Sequence, residues 1–369
     1  MVSPTAALAA ARTITRVSAR AFVHPKVAGG GNPVDVFLVR PSSPSDSNLA
    51  LPPDTRSRLA KTCNWESVVA HLPSSSADEQ GQRPVLSFHM PSGEEVSFCA
   101  HAALGAASVV SQEAGGSSIK EVEFTTTTDE SVQSVSISPE TGEAELTMKS
   151  KLTESDIPDF ITLGHVREAI GLRIEDISLG GTGLPSYINS SIARNKTLMP
   201  MLEEKRLQVG PKNPDPAEWQ RLCDKIDSTG VYLYCPVDKD SMEDDDAAKG
   251  GDVGDNEEEG DKDNGEEKVL RYECRQFPRA SGYPEDPATG IAAAALAASL
   301  RKRGFGAPND DKDTKNYRYE FYQGTSMGRR SKIGVRFDHD CDIKSKEKDV
   351  NIYISGLVDI SSRKEEEVA

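Results

Sequence analysis

Phe98–Ser108 reads Phe-Cys-Ala-His-Ala-Ala-Leu-Gly-Ala-Ala-Ser, and Ala288–Ser299, 190 residues further on, reads Ala-Thr-Gly-Ile-Ala-Ala-Ala-Ala-Leu-Ala-Ala-Ser. With Cys99 set against Thr289, each stretch has a small polar residue, then an Ala-rich run through Leu and Ala to Ser, with a one-residue slip. Acidic pairs precede both, Glu94-Glu95 and Glu285-Asp286. A repeat at this distance predicts two similar domains. It also makes two helix N-termini equivalent. Such a terminus has backbone N–H groups without intrahelical partners and partial positive charge, so it attracts anions. Two of them facing one cleft would hold a small carboxylate-bearing ligand from both sides.

The Ala-rich runs are apolar nearly all round, which marks buried helices rather than surface ones. Around them the periodicity predicts mostly strands. A hairpin forms from Ile14–His24 and Val34–Val39 through a Gly-Gly-Gly-Asn-Pro turn. A helix over 54–64 follows with Asp54 as its cap, then strands at 67–72 and 84–90 and three more up to 149. Thr153–Asp159 reads as an inter-domain crossing. The second half reads helix 165–171, strands 175–180 and 186–191, helix 215–227, strand 229–236, and four strands and the second Ala-rich helix after residue 268. One prominent apolar helix per half among many strands predicts an α+β class. Each of two similar domains is a curved, mostly antiparallel sheet wrapped round its central Ala-rich helix. The expected boundaries are 13–152 and 160–350, with a disordered or presequence-like segment at 1–12 and a final strand and charged tail at 351–369.

The chain of 369 residues has a net charge of −16. Asp238–Lys268 accounts for −11 of it, with 15 acidic residues against 4 lysines. That stretch has too little apolar content to offset its ordering entropy and reads as a disordered acidic insert. No clustered basic face signals nucleic acid. No apolar run reaches the length of about 18 residues a membrane span needs. The six cysteines show no paired spacing and read as reduced thiols. The expected compartment is the cytosol. The first twenty residues carry Arg12, Arg16 and Arg20 and no acid, which leaves a mitochondrial presequence as the alternative.

Four places can carry chemistry. Glu66 follows Trp65, and a carboxylate beside an aromatic wall is suited to moving protons near neutral pH; the same dipeptide also fits a surface carboxylate. His101 lies in the first turn of the first Ala-rich helix, where it would face whatever that terminus binds or serve as a satisfied core histidine. Glu285 to Gly290 opens the second Ala-rich helix. There the acids complement the helix dipole, and Thr289-Gly290 makes a small anion pocket. Cys99 sits near a helix N-terminus, which stabilises a thiolate. A two-thiol racemase would need a second cysteine at the repeat-equivalent position, and that position is Thr289.

These segments together resemble the PhzF family, the phenazine biosynthesis-like proteins of the diaminopimelate epimerase fold. The likeness runs through Ala21-Phe22 to Gly31-Asn32-Pro33-Val34-Asp35-Val36-Phe37, through Asn64-Trp65-Glu66-Ser67, and through Glu95 to Gly105. It continues in Gly282-Tyr283-Pro284-Glu285-Asp286-Pro287-Ala288-Thr289-Gly290 and in Tyr322-Gln323-Gly324 with Met327-Gly328-Arg329. The resemblance implies a cleft site, a homodimer and no metal or organic cofactor. By position it makes Glu66 the proton-moving base, with His101 and Asp286 assisting. Backbone around Cys99, Ala100, Thr289 and Gly290 would hold the substrate carboxylate. The sequence departs from the family pattern at Trp65, Ala100, Ala103 and Ile291, where small or polar residues are usual. Trp65 and Ile291 would line a more apolar pocket, which points away from the phenazine precursor as substrate.

The expected function is a cofactor-independent isomerase or epimerase acting on a small carboxylic acid. Glu66 serves as general base and then as general acid. Two alternatives stay open. One is a catalytically inactive binding or interaction protein of the same fold, which the substitutions around Glu66 and Thr289 favour. The other is a thiol mechanism through Cys99.

Overall fold

The structure is a computed structural model. It describes residues 12–41, 51–73, 83–113, 121–157, 160–178, 188–237, 268–305, 317–338, 341–345 and 348–368. The expected acidic insert and the N-terminal presequence-like segment therefore lie, but for their last residues Lys268 and Arg12, outside the described residues.

The chain forms two compact units. The first comprises Met1–Ala21, Pro33–Gly142 and Val358–Ala369; the second comprises Phe22–Asn32 and Glu143–Leu357. The division differs from the expected boundary at 152–160. Thr153–Asp159 reads in sequence as a crossing, but its described part Thr153–Asp156 pairs with 188–191 as an edge strand, and the second unit begins earlier, at Glu143. The expected separate tail is the end of a long strand, Val350–Val368, whose last part returns to the first unit.

The first unit contains β1 (Arg12–Val23), which continues into the second unit, then β2 (Asn32–Val39), α1 (Pro53–Ala60), β3 (Ser67–His71) and β4 (Val85–His89). After these come β5 (Glu95–Val96), α2 (Ala100–Glu113), β6 (Glu121–Thr126) and β7 (Gln133–Ile137). Its sheet runs β1-β2-β3-β4-β6-β7, with β5 on β4. The second unit contains β8 (Glu143–Ser150), β9 (Thr153–Asp156), α3 (Phe160–Ala169), β10 (Ile188–Ser191), β11 (Lys196–Pro200), α4 (Glu204–Val209), α5 (Pro216–Lys225) and β12 (Gly230–Pro236). It closes with β13 (Lys268–Pro278), α6 (Gly290–Lys302), β14 (Tyr317–Gln323), β15 (Ser331–Phe337) and β16 (Val350–Val368). Its sheet runs β8-β16-β15-β14-β13-β12-β11-β10-β9.

The repeat inferred from two Ala-rich runs is a repeat of topology. In the first unit β2 and β3 are parallel, β3 and β4 antiparallel, β4 and β6 parallel, and β6 and β7 antiparallel. In the second unit β11–β12, β12–β13, β13–β14 and β14–β15 repeat that order of senses. A parallel pair needs a crossover, and a helix supplies one. The crossover of the second parallel pair is the Ala-rich helix in both units, α2 between β4 and β6 and α6 between β13 and β14. The fold is α+β with two similar domains, as expected.

Both Ala-rich helices are buried over nearly their whole length. Small side chains let the sheet come close. A Cβ placed on Gly105 would lie 2.6 Å from Val34 Cγ1 on β2. The opposite face of the second sheet carries its own core, where Val166 of α3 and Trp219 and Cys223 of α5 pack on Met199, Val231 and Phe277. Asp215 caps α5 by accepting the Glu218 N–H at 2.9 Å.

Several local expectations fail, and the helix expected at 165–171 starts earlier, at Phe160. Asp54 does not cap α1; the cap position is Pro52, with Asp54 in the first turn, because proline pre-sets the helix start. The described part of the strand expected at 175–180 holds a short 3-10 turn at Ile174–Asp176 and a bridge from Ile177 to Met201, and residues 179–180 lie outside the described residues. Arg206 draws the Asp176 carboxylate into a bidentate pair at 2.8 Å, which fixes that turn. Strand β11 and helix α4 carry too short an apolar pattern to have been read. Among the described residues no helix is long and apolar enough to cross a membrane.

Gly105→Val should destabilise the protein by about 1–3 kcal/mol through overpacking against Val34. Gly164→Ala, in α3 where a Cβ meets nothing within 4 Å, should be neutral or stabilising by up to about 1 kcal/mol. Urea unfolding followed by circular dichroism measures both.

Candidate active site

In the first unit, Glu66 stands directly before β3, and its carbonyl accepts the Asp35 N–H of β2 at 3.3 Å. Strand alternation turns its side chain away from Ser67, whose face carries Val69 and the α1 core. Helix α2 brings His101 to it: His101 Nε2 lies 3.9 Å from Glu66 Oε2, with both side chains under 10% exposed, at 7% and 9%. That separation is an electrostatic contact rather than a hydrogen bond. Cys99 Sγ lies 3.3 Å from His101 Nδ1 and 3.9 Å from its Nε2. Thiol, imidazole and carboxylate thus gather at the start of α2. Ala100 is buried and Trp65 half-buried beside them. Phe98 packs edge-on against Phe88 at 5.5 Å between ring centres, which fixes the chain entering the helix.

In the second unit, Asp286 stands four residues before α6 and is tied on both oxygens. Oδ1 accepts from Asn32 Nδ2 at 2.8 Å and from the Ala288 N–H at 3.3 Å, and Oδ2 accepts the Thr289 hydroxyl at 2.6 Å. Asn32 Nδ2 also donates to the Ala288 carbonyl at 2.7 Å. Gln323 completes the frame, donating to the Asp286 carbonyl at 2.5 Å while its Oε1 accepts the Thr289 N–H at 3.2 Å. Because the Thr289 hydroxyl is turned to Asp286, it makes no side-chain cap to α6. The first-turn N–H groups at Gly290 and Ile291 are therefore left to face an anion. Behind this loop Arg275 and Glu285 form a buried bidentate pair at 2.9 and 2.7 Å.

The residues proposed from sequence thus fall into two sets. Glu66, His101 and Cys99 are brought together, with Ala100 and Trp65 next to them in the chain. Asp286, Thr289, Gly290 and Ile291 form the second set. Asp286 organises its loop through hydrogen bonds, a role the sequence reading did not separate from acid–base work. In the sequence Asn32 and Gln323 stand within motifs, with no separate role legible. The signal was their motif positions, and the structure supplies the reason: both are polar side chains that hold the 286–289 loop.

Comparison with known proteins agrees with this architecture. A family model described as phenazine biosynthesis-like protein matches residues 253–359, which include the α6 mouth but not Glu66 or His101. A PhzF-family phenazine biosynthesis protein of Bacillus anthracis is structurally similar, with TM-score 0.65 and 19% identity over 97% of this chain and 99% of that one. The chain has the PhzF fold. A protein described as a predicted epimerase from Pseudomonas aeruginosa gives TM-score 0.63 at 19% identity, covering 96% of this chain and 100% of that one. A hydroxyproline epimerase from Agrobacterium vitis, with trans-4-hydroxy-L-proline bound, gives TM-score 0.51 at 12% identity over 97% and 93%. No curated protein matches by sequence. The solved structures similar to this chain thus include a hydroxyproline epimerase as well as a PhzF-family protein.

Asn32→Ala removes a donor from a buried carboxylate and from the Ala288 carbonyl, and should cost about 1–3 kcal/mol. Asn32→Asp should cost more at pH 7, because it sets a like charge against Asp286. Denaturant titration of the two variants at neutral pH gives the order.

Proposed function

We propose that the protein is a cofactor-independent isomerase or epimerase that moves a proton on a small carboxylic acid. The observation that carries this reading is the buried Glu66–His101 pair at the start of α2. Glu66 as a carboxylate takes a proton from a carbon of the substrate, and as a carboxylic acid returns it to the same carbon on the opposite face or to a conjugated one. No atom is gained or lost, so no co-reactant is needed. His101, 3.9 Å away, sets the electrostatics of that carboxylate in its two states and presents its imidazole to the substrate. Burial of both side chains keeps water from exchanging with the proton in transit. The start of α2, at Cys99 and Ala100, offers backbone N–H groups to an anionic oxygen. Asp286 acts in this reading as the organiser of the second helix start, Thr289-Gly290-Ile291. The epimerases among the structural relatives support a proton-transfer class.

A second reading rests on the 3.3 Å contact between Cys99 Sγ and His101 Nδ1. An imidazole at that distance favours a thiolate, which would then be the proton-moving base.

The two readings separate in heavy water. The protein is incubated with a pool of small carboxylic acids, and each is scored by mass spectrometry for deuterium and by chiral chromatography for isomer. The expected outcome is isomer formation or exchange that Glu66→Gln lowers by at least about 100-fold, as loss of a general base does, while Cys99→Ser lowers it less than tenfold. The reverse ranking assigns the chemistry to Cys99. Absence of both signals in a folded protein that still binds an acid leaves a binding role in its place.

A further inference from the structure

The topological repeat gives every residue of the first mouth a counterpart in the second. Ser67 pairs with Asp35 and Val231 with Thr197 across the parallel strands. The face of Ser67 and the face of Val231 both pack on the outer helices. The residue before Ser67 is Glu66, and its counterpart is Gly230. Val34, against α2, has Lys196 as its counterpart. Where the first unit has a carboxylate and an aliphatic side chain, the second has a glycine and a lysine.

Lys196 is buried, at 8% exposure. It pairs with Ser190 across β10 and β11. Ser190 donates to the Ala295 carbonyl of α6 at 3.3 Å, so Lys196 too lies on the α6 face of the sheet. Its ammonium donates to one carbonyl, Thr229 O at 3.4 Å, the residue before Gly230. Gln276 comes over the same glycine from β13: a Cβ on Gly230 would lie 2.4 Å from Gln276 Nε2. Gln276 is fully buried, and neither its amide nitrogen nor its amide oxygen has a hydrogen-bond partner among the described residues. Its backbone bridges directly to Asp286. A buried primary amide with both ends unmet costs the fold free energy, and a lysine stands where the repeat has a valine. Local departures of this kind mark function.

We infer that Lys196 and Gln276 form an anion subsite at the α6 mouth, one that takes the carboxylate of a small acid bearing a hydroxyl or amino group beside it. The carboxylate accepts from the Lys196 ammonium and from Gln276 Nε2. The neighbouring O–H or N–H donates to Gln276 Oε1. Gly230 has no side chain, and that lets the Gln276 amide lie over it. The subsite deepens the proposed function by naming the ligand class, and its role in turnover rests on that reading. Burial pushes the Lys196 ammonium down to about 8 despite the opposing charge of Asp286; Arg194 pushes it the same way as burial, and Cys223 against it. The cation is therefore present at pH 7 and lost as pH rises through about 8. The folded value lies below that of a free lysine, so the unfolded chain binds more protons between them, and stability rises with pH across that window. Lys196→Met removes the penalised charge and should fold and melt higher than wild type at pH 7.

The test is an amide NMR titration of the full-length protein with glycolate, which has the adjacent hydroxyl, and with acetate, which lacks it. We expect saturable shifts at Gly290 and Ile291, with glycolate binding several-fold tighter than acetate. Affinity should fall about tenfold or more in Lys196→Met and in Gln276→Leu, and in wild type between pH 7 and 9. It should be unchanged in Glu66→Gln, so loss of proton transfer and loss of this subsite give different results. No saturable shift with either acid, equal affinity for both, or affinity indifferent to Lys196→Met or to pH overturns the inference.

Discussion

Everything in both units depends on burying a helix that has almost no side-chain bulk. Ala102 to Ala107 and Ala292 to Ala298 leave α2 and α6 with nothing that holds the sheet away. The backbone of the helix therefore approaches the strands to the limit that Gly105 and Val34 set. Such a helix gains little from its own side chains, so its stability comes from the sheet around it. The first turn of each helix carries one larger side chain, His101 in α2 and Ile291 in α6, among alanine and glycine.

The loop that enters α6 shows how that helix start is kept. Asp286 would ordinarily complement the dipole directly. Here its oxygens are taken by Asn32, Ala288 and Thr289. The carboxylate thus shapes the loop, while Thr289 is withdrawn from capping. Arg275 and Glu285 bury a second charge pair behind it. Buried pairs contribute little net stability, and they fix one arrangement when every partner is met. The 324–328 turn is joined to the same frame through Gln323 and through Ser326, which donates to Glu285.

Much of this was legible in the sequence, because the signals were strong and local. Repeated alanine runs disclosed the two buried helices, and alternation disclosed most strands within a residue or two. The pairing of Glu66 with His101 was legible only through likeness to a family, since they lie on separate elements 35 positions apart in sequence. What stayed illegible was either short or non-local. Strand β11 is five residues long and alternates no more clearly than a loop. Thr153–Asp156 is polar and became a strand only because β10 lies beside it. The roles of Asn32 and Gln323 depend on partners 254 and 37 residues away, which no window of sequence contains.

Thiol and carboxylate both approach His101, and the thiol is closer. Distance alone does not decide, because the imidazole serves the two differently. A histidine beside Cys99 favours a thiolate only while it carries the proton itself. Glu66 favours that same protonated histidine, so the three groups share their charge states. The position that repeats Cys99 in the second unit is Thr289, whose hydroxyl is held by Asp286. A carboxylate can remove a proton and return it without a second base, provided the substrate turns or its conjugation moves. In the second unit the position that repeats Glu66 is Gly230, flanked by a lysine and an amide.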